Sequence, residues 1–223
     1  MFKNIFFQNS LFLNRTIKTF IKTYARKDNW HHLDIKNGNL GYGWIHYALI
    51  RNLKPKRVLC IGSKYGYIPA VCAIACKDNK FGKVDFVDAG LDINDFNGPG
   101  AHWGGVGFWK KCNPKKYFGK FGLENYIDLN VMTSEKFAKK FPKQKYDYIH
   151  IDGDHSYNGV KKDFDLFWPK LNKSGFLAIH DIASQDKDGN VYGTRDFWKE
   201  LKGNKKNVFE FNQDPGLGII QKL

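Results

Sequence analysis

Hydrophobic and polar positions along this chain follow two alternating rhythms. Short apolar runs bounded by glycine or charge recur at Arg57–Ile61 (RVLCI), Lys83–Asp88 (KVDFVD), Asn125–Met132, Tyr146–Asp152 (YDYIHID) and Gly175–Asp181 (GFLAIHD). Runs of this length, rich in Val, Ile and aromatics, predict strands buried inside a sheet. Between them the period changes to that of a helix at Gly43–Leu53, from Pro69 onward (PAVCAIAC), at Ser134–Phe141 and, capped by Thr194, to about Leu201. Proline suits a first helical turn because the N–H it lacks would be unsatisfied there anyway. The strongest helical pattern is Asn158–Leu171, where Val160, Phe164, Phe167, Trp168 and Leu171 make one apolar stripe with Lys and Asp on the opposite face. Lys173-Ser174-Gly175 is its expected stop. Val208–Asn212 and Gly216–Lys222 flank Asp214-Pro215-Gly216 and predict a terminal hairpin.

Strands alternating with helices imply parallel pairing with right-handed crossovers, which places helices on both faces of the sheet. The fold expected is therefore α/β: a doubly wound, mostly parallel, seven-stranded sheet with a C-terminal antiparallel hairpin strand. Residues 41–223 are assigned to that domain and residues 1–40 to an N-terminal helical extension or lid. Residues 90–120 break the rhythm with a Gly- and aromatic-rich stretch carrying Pro99-Gly100-Ala101-His102-Trp103-Gly104-Gly105. A long insertion of this kind is expected to shape the acceptor pocket.

Composition narrows the classes. A chain of 223 residues, 42% hydrophobic, is neither disordered nor fibrous. The net charge is +14, yet only five of the 36 basic residues are arginine. Readers of nucleic acid place arginine at base edges and phosphates, so a nucleic-acid partner is not expected. The scattered lysines read as a solvated surface, the alternative being a field that attracts an anionic partner. Cys60, Cys72, Cys76 and Cys112 form no CxxC pair, so reduced thiols and a cytoplasmic location are expected. No apolar run reaches the roughly 18–20 residues of a membrane span. Met1–Lys27 is basic and free of acids, with Leu13, Ile17, Phe20, Ile21 and Tyr24 at helical spacing. It is read as a helix packed on the domain or on a second copy of the chain, with a mitochondrial import signal as the alternative.

In an open α/β sheet the ligand lies beyond the carboxyl ends of the strands. Polar residues follow almost every strand here: Gly62-Ser63-Lys64-Tyr65-Gly66, Asp88, Met132-Thr133, Asp152-Gly153-Asp154-His155 and His180-Asp181. The stretch Val58 to Gly66 (VLCIGSKYG) resembles the first motif of class I S-adenosylmethionine-dependent methyltransferases. Ile151 to Tyr157 (IDGDHSY), followed at helix-plus-strand distance by GFLAIHD, resembles the branch holding sugar- and antibiotic-modifying O-methyltransferases and cephalosporin-hydroxylase-like proteins. The resemblance runs from about Trp44 to Leu223. It implies S-adenosylmethionine as cofactor, with Gly62, Ser63, Lys64 and Gly66 at its methionine end, Asp88 on the ribose hydroxyls, and Thr133 with Met132 near the adenine. Cys60 stands where the family usually has an acid and Lys64 where it has a third glycine. Lys64 either pairs with the cofactor carboxylate or narrows the loop.

The resemblance also implies a divalent cation, magnesium or another first-row metal, on Asp152, His180 and Asp181. If the fourth and fifth strands are neighbours, these groups converge, because paired strands lie about 5 Å apart. Other readings of the same residues are that His180 caps a strand, Asp181 bonds loop amides, or Asp152 serves the next helix with Asp154 as its cap. His155 either takes a proton from a substrate hydroxyl or orients Asp152; with Asp152 it is the candidate catalytic pair. His150 reads as core. His31, His32 and His102, beside Trp30 and Trp103, read as a lid and acceptor pocket, against simple surface packing. The expected function is metal-assisted O-methyl transfer to a small molecule or sugar. Two rivals remain: a non-haem metal oxygenase using His155, His180 and Asp152, and a non-catalytic basic domain that holds an anionic polymer.

Overall fold

The computed structural model describes residues 15–91, 107–184, 193–203 and 207–223. Helix α1 covers residues 15–24. The chain continues through α2 (Gly43–Leu53), β1 (Arg57–Ile61), α3 (Tyr67–Asn79), β2 (Lys83–Asp88), α4 (Phe108–Lys111), α5 (Pro114–Gly119), β3 (Ile127–Val131), α6 (Ser134–Lys140) and β4 (Tyr146–Ile151). It ends with α7 (Tyr157–Phe167), a 3₁₀ turn at Trp168–Lys170, β5 (Leu171–His180), α8 (Gly193–Gly203), β6 (Val208–Phe211) and β7 (Leu217–Gln221).

The strands form one seven-stranded sheet in the order β3-β2-β1-β4-β5-β7-β6. The first five run parallel, and β7 joins β5 and β6 antiparallel. Strand residues alternate between two cores because successive side chains point to opposite faces. Val58 and Cys60 of β1 face α1, α2 and α3, whereas Leu59 and Ile61 face α6, α7 and α8. The apolar side of α1 is covered by its own chain: Phe20 meets Phe121 edge-on at 5.1 Å and Tyr24 meets Tyr117 at 5.2 Å.

Four local expectations are corrected. The helix expected over Asn158–Leu171 ends at Phe167, and Leu171 already pairs with Tyr146 in the sheet. Pro169 accounts for this: it has no N–H for a helical bond, and it disfavours the helical conformation at Trp168. Ser174, at φ 64, belongs to an irregular start of β5 rather than to a helix stop. Asp163, assigned to the polar face of α7, is buried, at the i+3 slot of the stripe begun by Val160. Thr194 does not cap α8 but lies within it, and its hydroxyl donates to the His155 carbonyl. His102 and Trp103 lie outside the described residues.

Candidate active site

Strand order reverses between β1 and β4, where crossovers leave toward opposite faces and open a crevice. The backbones are clamped there: Asp152 N donates to the Ile61 carbonyl at 2.8 Å and Gly62 N to the Val87 carbonyl at 2.8 Å. Gly62 has φ 70, and a Cβ on it would stand 2.1 Å from the Asp152 carbonyl oxygen. Glycine is needed there for the fit of β1 against β4, not only to admit a ligand. Gly66, at φ 81, is the N-cap of α3. A Cβ on Gly66 would meet the Trp109 ring at 3.0 Å, and Gly66 does not line the cleft.

A first hollow of about 290 Å³ lies over this crevice. Gly62, Ser63, Lys64, Asp88, Thr133 and Asp152 all line it, with Ile61, Val87, Trp109 and Met132 as apolar wall. Asp88 Oδ2 accepts Ser63 N at 3.2 Å and its Oδ1 accepts Gly90 N at 2.8 Å. Burial raises its pKa, against the pull of these two amides. Each oxygen keeps a lone pair, so the residue suits a ligand bearing two hydroxyls. Thr133 caps α6 through Lys136 N. Lys64 reaches Asp28 at 3.4 Å. Cys60 is fully buried on the opposite face of β1, in the core with Cys72, and takes no part in the cleft.

A second hollow of about 110 Å³ adjoins the first and shares Ser63, Lys64 and Asp152 with it. Its other walls come from the N-terminal segment (Tyr24, Asp28, Trp30, His31), from Tyr65 and Tyr67, and from His155, His180 and Asp181. His31 lines this second hollow. His32 instead hydrogen-bonds the Gln213 carbonyl at 3.1 Å.

Two carboxylates and two imidazoles meet where the hollows join. His155 Nε2 lies 3.5 Å from Asp152 Oδ1 and 3.1 Å from Asp181 Oδ2. His180 Nδ1 lies 3.4 Å from Asp152 Oδ1 and 3.2 Å from Asp181 Oδ1. Ligand atoms of Asp152, His155 and Asp181 fall within 4.8 Å of one another, close enough to share an ion. Asp181 sits at φ 63, a left-handed conformation uncommon outside glycine, which recurs where geometry serves a site. The helix after β4 is capped by Ser156, whose hydroxyl accepts Gly159 N. Asp154 Oδ1 in turn accepts the Ser156 amide and hydroxyl, so Asp152 is not needed as a cap.

Charge within the cluster is self-consistent. Burial opposes a proton on His180, but Asp181 and Asp152 together raise its pKa well above the ordinary value. Burial likewise opposes charge on His155, and Asp181 with Asp152 outweighs it, raising that pKa too. Burial would raise Asp152, yet His180, His150 and His155 hold its carboxyl well below the usual range. Asp181 is lowered in the same way by His180 and His155. His31, His46 and His150 lie behind them. Burial lowers all three, which favours their neutral forms. His150 is fully buried core, as the sequence indicated.

A positive charge is built into this arrangement. The second ring nitrogen of His180, Nε2, lies 3.0 Å from the Trp30 carbonyl, which can only accept, so Nε2 carries the hydrogen. In a neutral ring the Nδ1 lone pair would then face two carboxylates, and no hydrogen bond satisfies it. Either a second proton or a cation resolves that conflict. Donation of the outer ring N–H to a carbonyl is the usual support of a metal-ligating histidine.

A model of a methyltransferase domain family matches residues 59–182. The chain belongs to that family. Among curated proteins, the chain is similar to the uncharacterized protein y4gI of Sinorhizobium fredii, at 22% identity over 195 residues. The match covers 85% of this chain, and the chain spans 20% of the relative's length. Among solved structures it is similar to the O-methyltransferase NovP, with 13% identity and a TM-score of 0.68 over 96% of this chain and 98% of that one. It is also similar to the O-methyltransferase TomG of Streptomyces achromogenes, solved with S-adenosylmethionine (12% identity, TM-score 0.61, 95% and 90% covered). At these identities the likeness establishes the shared fold. No helix among the described residues is long and apolar enough to cross a membrane.

Proposed function

We propose that this methyltransferase transfers the methyl group of S-adenosylmethionine to a hydroxyl oxygen of a small molecule or sugar, with a divalent cation on Asp152, Asp181 and His180. The observation that carries this reading is that Ser63, Lys64 and Asp152 line both hollows, so molecules held in each would meet at Asp152. When bound, S-adenosylmethionine supplies an electrophilic methyl group, and the cation supplies a Lewis acid that acidifies the acceptor hydroxyl.

The chain's own residues do the rest. Gly62, Ser63 and Lys64 hold the methionine end, Asp88 receives the ribose hydroxyls, and Met132 and Thr133 border the base. Trp30 fixes the His180 ring so that Nδ1 faces the carboxylates. His155, on the wall of the second hollow, takes the acceptor's proton in its neutral form, whose share grows as pH rises because Asp181 and Asp152 favour the charged ring. Tyr65, Tyr67 and Trp30 exclude water around the acceptor. With the reactants positioned and the oxygen deprotonated, displacement needs little more.

The test is a thermal-shift titration of the full chain with S-adenosylhomocysteine and with Mg²⁺ or Mn²⁺, followed by a labelled-methyl assay on hydroxyl acceptors. Each ligand that binds the folded state raises its melting temperature. Full activity in chelator removes the cation from the reading. A need for iron, dioxygen and a keto-acid in place of S-adenosylmethionine replaces it with oxygenase chemistry. Salt-sensitive polymer binding without cofactor binding replaces it with a binding domain.

A further inference from the structure

The basic residues are not spread evenly over the fold. Residues 15–27, which hold α1, and residues 107–123, which hold α4 and α5, carry ten basic side chains and no Asp or Glu. These two stretches supply ten of the net +14 charge. They also pack on each other. Phe20 and Tyr24 meet Phe121 and Tyr117, and the Tyr117 hydroxyl donates to the Thr23 carbonyl at 2.8 Å. With the rings turned inward the cations turn outward: Lys22, Arg26 and Lys27 are exposed, and so are Lys115, Lys116 and Lys120. Burial raises the Cys112 thiol while Arg26 and Lys120 both pull it down, so charges from the two stretches act on one spot. Like charges crowded on one face repel. A merely solvated surface has no use for that arrangement, whereas an anionic partner is drawn to it.

We propose that this face docks on an anionic lipid bilayer. Three observations favour a bilayer over a nucleic acid. First, every aromatic ring in the two stretches is buried or half-buried, whereas single-stranded nucleic acid is held by bases stacked on exposed rings. Second, only two of the ten cations are arginine. Phosphate recognition in nucleic acids favours the arginine fork, but attraction to a charged lipid surface needs only point charges. Third, residues 1–14, outside the described residues, lead into α1 with eight apolar side chains and one charge, Lys3. Apolar residues joined to a basic helix supply the two signals that hold a protein at an anionic membrane surface. The face also reaches the rim of the cleft. The Arg26 guanidinium lies 4.3 Å from the Tyr65 ring centre and 4.6 Å from that of Phe108. Tyr65 lines the second hollow and Phe108 the first, so docking sets the cleft beside the lipid surface.

The test is flotation of the full chain with vesicles of phosphatidylcholine alone or mixed with phosphatidylserine. Wild type is expected to bind the mixed vesicles at least about tenfold more tightly than the neutral ones. The triple variant Lys115→Gln, Lys116→Gln, Lys120→Gln should bind the mixed vesicles about a hundredfold more weakly, roughly fivefold per lysine. The triple variant Lys139→Gln, Lys140→Gln, Lys143→Gln removes the same charge around α6, whose Phe137 packs on the other face of the sheet. It should stay within about threefold of wild type, because charges far from the lipid are screened. All six lysines are exposed, so both variants are expected to fold. Equal losses in the two triples would report net charge rather than this face and overturn the proposal. Equal binding to neutral and mixed vesicles overturns it as well. If the chain ignores both vesicles but holds polyuridylate, the face belongs to nucleic acid and the proposal falls; if it holds none of the three, the proposal also falls. The wild-type comparison of the two lipid mixtures decides even if a variant fails to fold.

Discussion

The Nε2 of His180 donates to the carbonyl of Trp30 across 3.0 Å and 150 positions of sequence. That bond joins the end of β5 to the N-terminal segment and sets which nitrogen faces Asp152 and Asp181. It also makes the second hollow a joint product of both parts of the chain.

Asp181→Ala should abolish methyl transfer while leaving the cofactor bound. Asp181 lines the second hollow but not the first. On the proposed cation site, loss of one carboxylate is expected to lower kcat by about a hundredfold or more, since a catalytic metal contributes several kcal/mol. Calorimetry should give a Kd for S-adenosylhomocysteine within about threefold of wild type. A matching loss of cofactor affinity would contradict the separation of the two hollows.

Asp88→Ala should show the reverse pattern. It removes the acceptor of the Ser63 and Gly90 amides as well as the carboxylate proposed for the ribose. Cofactor affinity is expected to fall by about tenfold to a hundredfold, from lost charged hydrogen bonds of about 1.5–3 kcal/mol. Transfer at saturating cofactor should fall much less. Steady-state kinetics with varied S-adenosylmethionine separate the two effects.

Much of this was legible in the residues before any coordinates. Each parallel strand showed as an apolar run, and IDGDHSY and GFLAIHD ended on the groups that now meet. The Trp30–His180 bond was not legible, because no local pattern reports a contact made over such a separation. Asp163 was missed although a signal existed. It occupies a core-facing slot between Val160, Phe164 and Phe167, where an acid breaks the pattern unless it has a task. The early end of α7 was also readable, from Pro169.

Gly62→Ala should be strongly destabilising. Its φ of 70 disfavours any side chain, and the added Cβ would stand 2.1 Å from backbone that cannot move without parting β1 from β4. A loss of about 3 kcal/mol or more is expected in urea unfolding, more than ordinary overpacking gives. Gly66→Ala, at φ 81, meets only ring edges, Trp109 at 3.0 Å and Phe118 at 3.3 Å, and should cost about 1–2 kcal/mol.

Asp163 should make stability depend on pH between its unfolded and folded values. The carboxyl rises from 3.8 to about 6 on folding, chiefly by burial, with Glu135 and Asp154 adding to the rise and Ser134 and Lys162 opposing it. A raised acid favours the folded state while protonated. Its contribution is therefore fully present below about pH 4 and is lost as pH climbs through 6. Wild type should lose up to about 3 kcal/mol relative to Asp163→Asn between pH 4 and pH 7.5. Paired denaturant curves at the two pH values measure it, and parallel behaviour of the two proteins would contradict the shift.

Strand β7 is late in sequence but lies in the sheet interior, between β5 and β6. Asp181 N donates to the carbonyl of Gly216, in the turn just before β7. During synthesis the parallel strands can pair as they leave the ribosome. The Asp181 backbone gains this brace only once the hairpin of β6 and β7 is available. A nascent chain would thus hold its parallel strands before it held the turn that fixes the backbone at Asp181.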